Sequence, residues 1–87
     1  MDEDRLQELH EVLTATGERP VERTASRWLG EAEAIAADVA HGEMTDDVRR
    51  ERLEKVDHLL ENVDGTGDPE ADEHVGRAQD IVAELLA

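Results

Sequence analysis

The acidic side chains recur at spacings that can bind divalent cations. Six pairs have the Glu-x-x-Glu or Glu-x-x-Asp spacing, which puts both carboxylates on one face of a helix. Carboxylate oxygens are the ligands that Mg²⁺ and Ca²⁺ prefer. The candidate metal ligands are drawn from the pairs of the third helical segment and are Glu51, Glu54, Asp57 and Glu61.

The carboxylate pairs resemble those of all-α nucleotide pyrophosphohydrolases of the MazG type. The resemblance implies an enzyme whose paired acids hold Mg²⁺ against a phosphate, and this is the alternative interpretation of the chain. However, 24 acidic residues among 87 produce several such pairs by chance. Glu51 and Glu54 also point away from the apolar stripe of their helix, whereas a metal site inside a bundle needs inward-facing acids. A solvated helix face without metal or cofactor is the preferred interpretation.

The histidines and hydroxyl groups form no recognisable catalytic pattern. The chain has four histidines, no cysteine and a single serine, Ser26. Two Glu-x-x-x-His pairs occur, but the di-iron bundle pattern needs Glu-x-x-His on two helices. His10 borders an apolar stripe and His41 precedes a glycine, so boundary, capping and surface positions are expected for the histidines. We therefore predict that the protein is not an enzyme.

The basic residues fall into two groups that could bind a phosphate or an acidic partner protein. They are a ladder of Arg19, Arg23 and Arg27, and a cluster of Arg49, Arg50, Arg52 and Lys55. The favoured alternative is pairing with acids of the same helix or of a neighbouring helix. Acids four residues away occur at Asp46/Arg50, Glu51/Lys55 and Arg27/Glu31.

Four amphipathic helices must position these side chains. Apolar residues recur at alternating spacings of three and four, the period of a helix, and strand-type alternation is absent. The pattern predicts one domain with helices over about residues 2–15, 20–40, 46–63 and 69–86. Connections of about four residues force neighbouring helices antiparallel, which predicts an all-α, up-down four-helix bundle.

Several residues are expected to begin and end these helices. Pro20 and Pro69 suit a first helical position, and Thr45 and Asp68 suit N-caps. Three glycines follow apolar segments where a left-handed C-cap would lie: Gly17, Gly42 and Gly65.

The second helix is the most informative, because it carries large apolar residues on one side and small residues on another. Its large residues predict a central position with Trp28 inside the core. A strip of small residues runs along another face: Ser26, Gly30, Ala34 and Ala37. Such a strip allows close backbone approach, either inside the monomer or against a second copy in a homodimer. Alanine is also a good helix former on protein surfaces, so the alternative is that the strip is exposed and has no partner.

Composition limits the environment and the partners. Nine basic and 24 acidic residues give a net charge of −15, which excludes general nucleic-acid and anionic-membrane binding. The acidic start of the chain and the lack of a long apolar run predict a cytoplasmic protein. In residue usage the chain resembles cytoplasmic proteins of salt-in halophilic archaea. We expect a small interaction or regulatory module that acts as a homodimer, with an unidentified protein partner as a further option.

Overall fold

The computed structural model describes residues 1–87 and contains four α-helices and no strand. The helices are α1 (Glu3–Gly17), α2 (Arg23–His41), α3 (Asp46–Glu61) and α4 (Pro69–Leu86). Consecutive helices pack side by side, α4 returns to pack on α1, and the backbones of the diagonal pairs stay apart. The predicted all-α, up-down antiparallel four-helix bundle is confirmed.

Side chains cap three of the four helix starts. Asp2 accepts a hydrogen bond from the Arg5 N–H, Thr45 accepts one from the Val48 N–H, and Asp68 accepts one from the Ala71 N–H. Acidic residues in the first turns of α1, α3 and α4 add favourable charge at the positive ends of these helices. The prediction of Thr45 and Asp68 as caps and of Pro69 as a first helical residue is confirmed.

The second helix begins three residues later than expected, at Arg23 instead of Pro20. Glu22 has extended backbone angles, and its N–H donates to the carbonyl oxygen of Thr66 at 2.8 Å. This contact holds the segment against the loop between α3 and α4, so the first helical position predicted for Pro20 is wrong.

The C-terminal caps also differ from the sequence expectation. Gly17 lies inside α1, and Gly42 has an extended conformation with φ −85°. Positive φ angles occur only at Gly65 and Gly67, both in the loop that follows α3. The predicted left-handed caps at Gly17 and Gly42 are therefore wrong. Gly65 does adopt a positive φ, but it lies three residues beyond Asn62, which caps α3.

The core is a seam of leucine, valine, isoleucine and alanine that all four helices share. Seventeen apolar residues form one buried cluster: Leu6, Leu9, Leu13, Ala25, Leu29, Ala32, Ala36, Val39, Leu53, Val56, Leu59, Leu60, Val75, Ala78, Ile81, Val82 and Leu85. These are the positions that the helical period predicts. The three alanines of α2 let its backbone approach its neighbours, which contribute larger leucines.

Helix α2 is not central, and Trp28 is not inside the core. Helix α2 occupies one corner of the bundle and contacts only α1 and α3. Trp28 is half-buried and lies against the edge of the core, beside a cleft of about 150 Å³ between the start of α2 and the loop after α3. The core-facing side of α2 is filled instead by Ala25, Leu29 and Ala32, which leaves the large indole at the boundary.

Candidate functional site

The strip of small residues on α2 faces outward. Ser26, Gly30 and Ala34 are exposed, and Ala37 is half-buried. A methyl group added at Gly30 would meet no atom within 4 Å. No element of the same chain therefore covers this strip, which excludes the option that it packs inside the monomer.

The arginines divide into structural and free side chains. None of the three predicted i,i+4 pairs forms a salt bridge. Arg19 pairs with Asp68 instead, and Arg49 pairs with Asp46, three residues away. Arg23 and Arg27 lie exposed beside the small-residue strip and form no salt bridge, although the chain carries 24 acids.

One end of the bundle is held by a network around Asp68. Arg19 donates two hydrogen bonds to the Asp68 carboxylate, at 2.9 and 3.1 Å, and the Ala71 N–H donates a third at 3.0 Å. The Arg19 guanidinium, and secondarily the Ala71 N–H, lower the pKa of Asp68. This arrangement joins the end of α1 to the start of α4. Arg19, the first residue of the predicted arginine ladder, therefore has a structural role.

Thr66 completes the same end from inside. Its side chain is fully buried, and its hydroxyl accepts from the Asp68 N–H at 3.1 Å and lies 2.8 Å from an Asp72 carboxylate oxygen. The Thr66 N–H donates to the same oxygen at 2.8 Å. The segment Gly65-Thr66-Gly67 is thus a packed turn, and no free group of this network points to a ligand.

Ion pairs also connect α1 with α4 along the side of the bundle. Arg5 contacts Glu84 at 3.0 Å, and Arg77 pairs with Glu8. The Arg5 guanidinium, with help from Arg77, lowers the pKa of Glu8. These pairs fix the alignment of the two helices and are partly exposed, so each contributes modestly to stability.

The four candidate metal ligands lie along the outer side of α3. Glu51, Glu54 and Glu61 are exposed, and Asp57 is partly buried. The protein contains no group of three or more histidine, aspartate or glutamate side chains arranged to hold a metal ion. The pyrophosphohydrolase interpretation gains no geometric support and stays a prediction from the sequence.

The bundle brings together two histidines that sequence reasoning treated separately. His10 of α1 and His41 at the end of α2 lie with their ring centroids 5.2 Å apart and their planes at 84°. The predicted antiparallel packing of α1 and α2 could have indicated that these two histidines lie close together. In this pair of helices Thr14 hydrogen-bonds to Glu33, so residues near position 10 must face the end of α2.

The structure also has open clefts at its other end. One of about 500 Å³ is lined by residues from the end of α2, the following turn and α3, among them Asp38, His41, Met44 and Arg52. Another, of about 370 Å³, lies between the chain start, α3 and the end of α4 and is mainly acidic, with Arg50 as its one basic residue. Neither encloses a ligand-sized apolar cavity of the kind that small-molecule sites use.

The geometry therefore defines a small, acidic, antiparallel four-helix bundle with an uncovered face on α2. The chain belongs to the family described as Domain of unknown function (DUF8152), whose family model matches residues 5–87. The match spans all four helices apart from the first two residues of α1. No curated protein and no solved structure matches the chain. None of the four helices combines the length and the apolar character that a bilayer crossing requires.

Proposed function

We propose that the protein is a non-enzymatic interaction module that acts as a homodimer through the outer face of α2. This face consists of the small-residue strip Ser26, Gly30, Ala34 and Ala37, together with Arg23 and Arg27. The observation that carries the proposal is the exposure of the strip, with open space above Gly30. Small side chains allow two helices to approach closely and to bury backbone as well as side-chain surface.

The charges along α2 make this face self-complementary. Arg23 and Arg27 precede Gly30 in α2, whereas Glu31 and Asp38 follow it, and none of the four forms a salt bridge within the chain. A two-fold axis near Gly30 would align two copies of α2 antiparallel. The basic half of each copy would then face the acidic half of the other, as an isologous interface requires.

The proposed setting is a cytoplasm with molar salt, as in salt-in halophilic archaea. The support is the net charge of −15 in a chain of 87 residues, together with a core that contains no phenylalanine or tyrosine. At an ionic strength of roughly 1 M the Debye length is about 3 Å, so repulsion between carboxylates is largely screened. Under these conditions two copies with this net charge can associate.

Light scattering tests the dimer in about 2 M KCl, where surface repulsion is screened. The wild-type protein is expected to have twice the mass of one chain. Gly30→Gln is expected to be monomeric, because a long side chain blocks close approach of the two helices. Gly76→Gln is the matched control: Gly76 is also helical, also has open space around it, and lies on α4.

The outcomes separate the proposal from its alternatives. A wild-type monomer at high protein concentration overturns the homodimer. A dimer that survives both Gly30→Gln and Arg23→Glu shows that another surface is used, and it overturns the assignment to α2.

A further inference from the structure

We propose that His10 and His41 form a binding site for a divalent transition-metal ion of the Zn²⁺, Ni²⁺ or Cu²⁺ type. The two imidazoles come from different helices, and their ring centroids are 5.2 Å apart. Two imidazole nitrogens that bind one tetrahedral Zn²⁺ at about 2.0–2.1 Å leave the ring centroids about 5 Å apart. The observed separation matches this value, and the edge-to-face contact of the two metal-free rings falls in the same range.

Both imidazoles are free to bind. Neither ring takes part in a hydrogen bond or a salt bridge within the chain, and no nitrogen of either ring is buried without a partner. His41 is exposed and His10 is half-buried, so both reach solvent. The nearly perpendicular planes do not oppose coordination, because each ring can turn about its own metal–nitrogen bond.

The electrostatic surroundings favour a cation. His41 is the last residue of α2, where the unpaired carbonyl groups carry partial negative charge. Asp38 lies one turn earlier in α2 and lines the cleft beside His41, and Glu33 lies further along the α1–α2 contact. Arg52 of α3 lines the far side of the same cleft and is the one opposing charge there.

The ligand set determines which metals the site takes. Imidazole suits Zn²⁺, Ni²⁺ and Cu²⁺, whereas Mg²⁺ prefers oxygen ligands and keeps its water. No third histidine, aspartate or glutamate joins the pair, so water or chloride must fill the remaining positions. A bound ion would tie the middle of α1 to the end of α2, and it should therefore raise the melting temperature of the bundle.

Calorimetric titration of the untagged full chain with Zn²⁺ tests the site. The expected result is saturable binding of one ion per chain and no binding of Mg²⁺. His10→Gln and His41→Gln should each abolish binding. His74→Gln and His58→Gln are the matched controls, because His74 is half-buried like His10 and His58 is exposed like His41.

A second measurement does not depend on variants. Substoichiometric Cu²⁺ should broaden the imidazole NMR resonances of His10 and His41 before those of His58 and His74. The proposal is overturned if Zn²⁺ does not bind saturably, if either His10→Gln or His41→Gln binds as well as the wild type while remaining helical, or if all four histidine resonances broaden together.

Discussion

At the scale of single residues, the buried polar groups carry the most specific information about this fold. Thr66 is one of only three polar residues that are buried, and its hydroxyl provides the acceptor for the Asp68 N–H. Asp68 in turn caps α4 and accepts two hydrogen bonds from Arg19, which follows α1 at the same end of the bundle. A buried N–H that has no acceptor in the protein cannot bond to water either. Removing the Thr66 hydroxyl would leave the Asp68 N–H without its acceptor and would also remove the contact with Asp72.

Replacement of Thr66 by valine is expected to destabilise the protein by about 1–3 kcal/mol, since the shape is kept but the buried Asp68 N–H loses its acceptor. Urea denaturation in molar KCl measures the change. Thr24→Val is the matched control, because Thr24 is exposed and makes no hydrogen bond, and its effect should stay within about 0.5 kcal/mol. Equal losses in the two variants would contradict the role assigned to the Thr66 hydroxyl.

At the scale of elements, helix limits depend on both local signals and neighbouring segments. Thr45, Asp68 and Pro69 act as their sequence predicts, because capping involves only residues within one turn. Helix α2 starts late because Glu22 pairs with Thr66 in a distant loop. In that loop Gly67 has φ +82°, and an added Cβ would lie 3.0 Å from the Glu22 Cγ.

Two glycine-to-alanine substitutions should therefore have opposite effects. Gly67→Ala should lower stability by roughly 1–2 kcal/mol, because its backbone conformation disfavours a side chain. Gly76→Ala should raise stability by about 1 kcal/mol, because Gly76 lies inside α4 with open space around it and alanine is the better helix former. Thermal melts at one fixed protein concentration compare the variants, and shifts of the same sign would refute this reading of the two positions.

At the scale of the whole molecule, repulsion among carboxylates opposes a thin apolar core. Acids outnumber bases by 24 to nine, so only a minority of carboxylates can form ion pairs. Some of the pairs that do form connect different helices, as Arg5–Glu84 and Arg77–Glu8 do, and salt weakens these attractions too. Because unpaired acids are the majority, screening of repulsion should be the larger effect.

Stability is therefore expected to rise with KCl concentration, since the Debye length falls from about 30 Å at 0.01 M to about 3 Å at 1 M. Circular dichroism melts over this range measure the effect. A variant with Glu51, Glu54, Asp57 and Glu61 changed to their amides is the control: four fewer negative charges take the net charge from −15 to −11, and the salt dependence should be weaker. The same melting temperature in dilute buffer and in molar KCl would contradict the expectation.

The sequence by itself determined the four helices, their antiparallel order and nearly all of the core. These features follow from a repeat of three to four residues and from short connections, which are local properties. It also identified the small-residue strip from Ser26 to Ala37. Nothing local, however, indicated whether that strip is covered, because coverage depends on how the helices are arranged around the core.

The tertiary structure alone decided which distant side chains meet. It brought His10 to His41 and Arg19 to Asp68, and it moved Trp28 to the boundary of the core. Residues separated by 31 or 49 positions lie outside any helical period. Their contact depends on the alignment of packed helices and on the closed ring in which α4 meets α1.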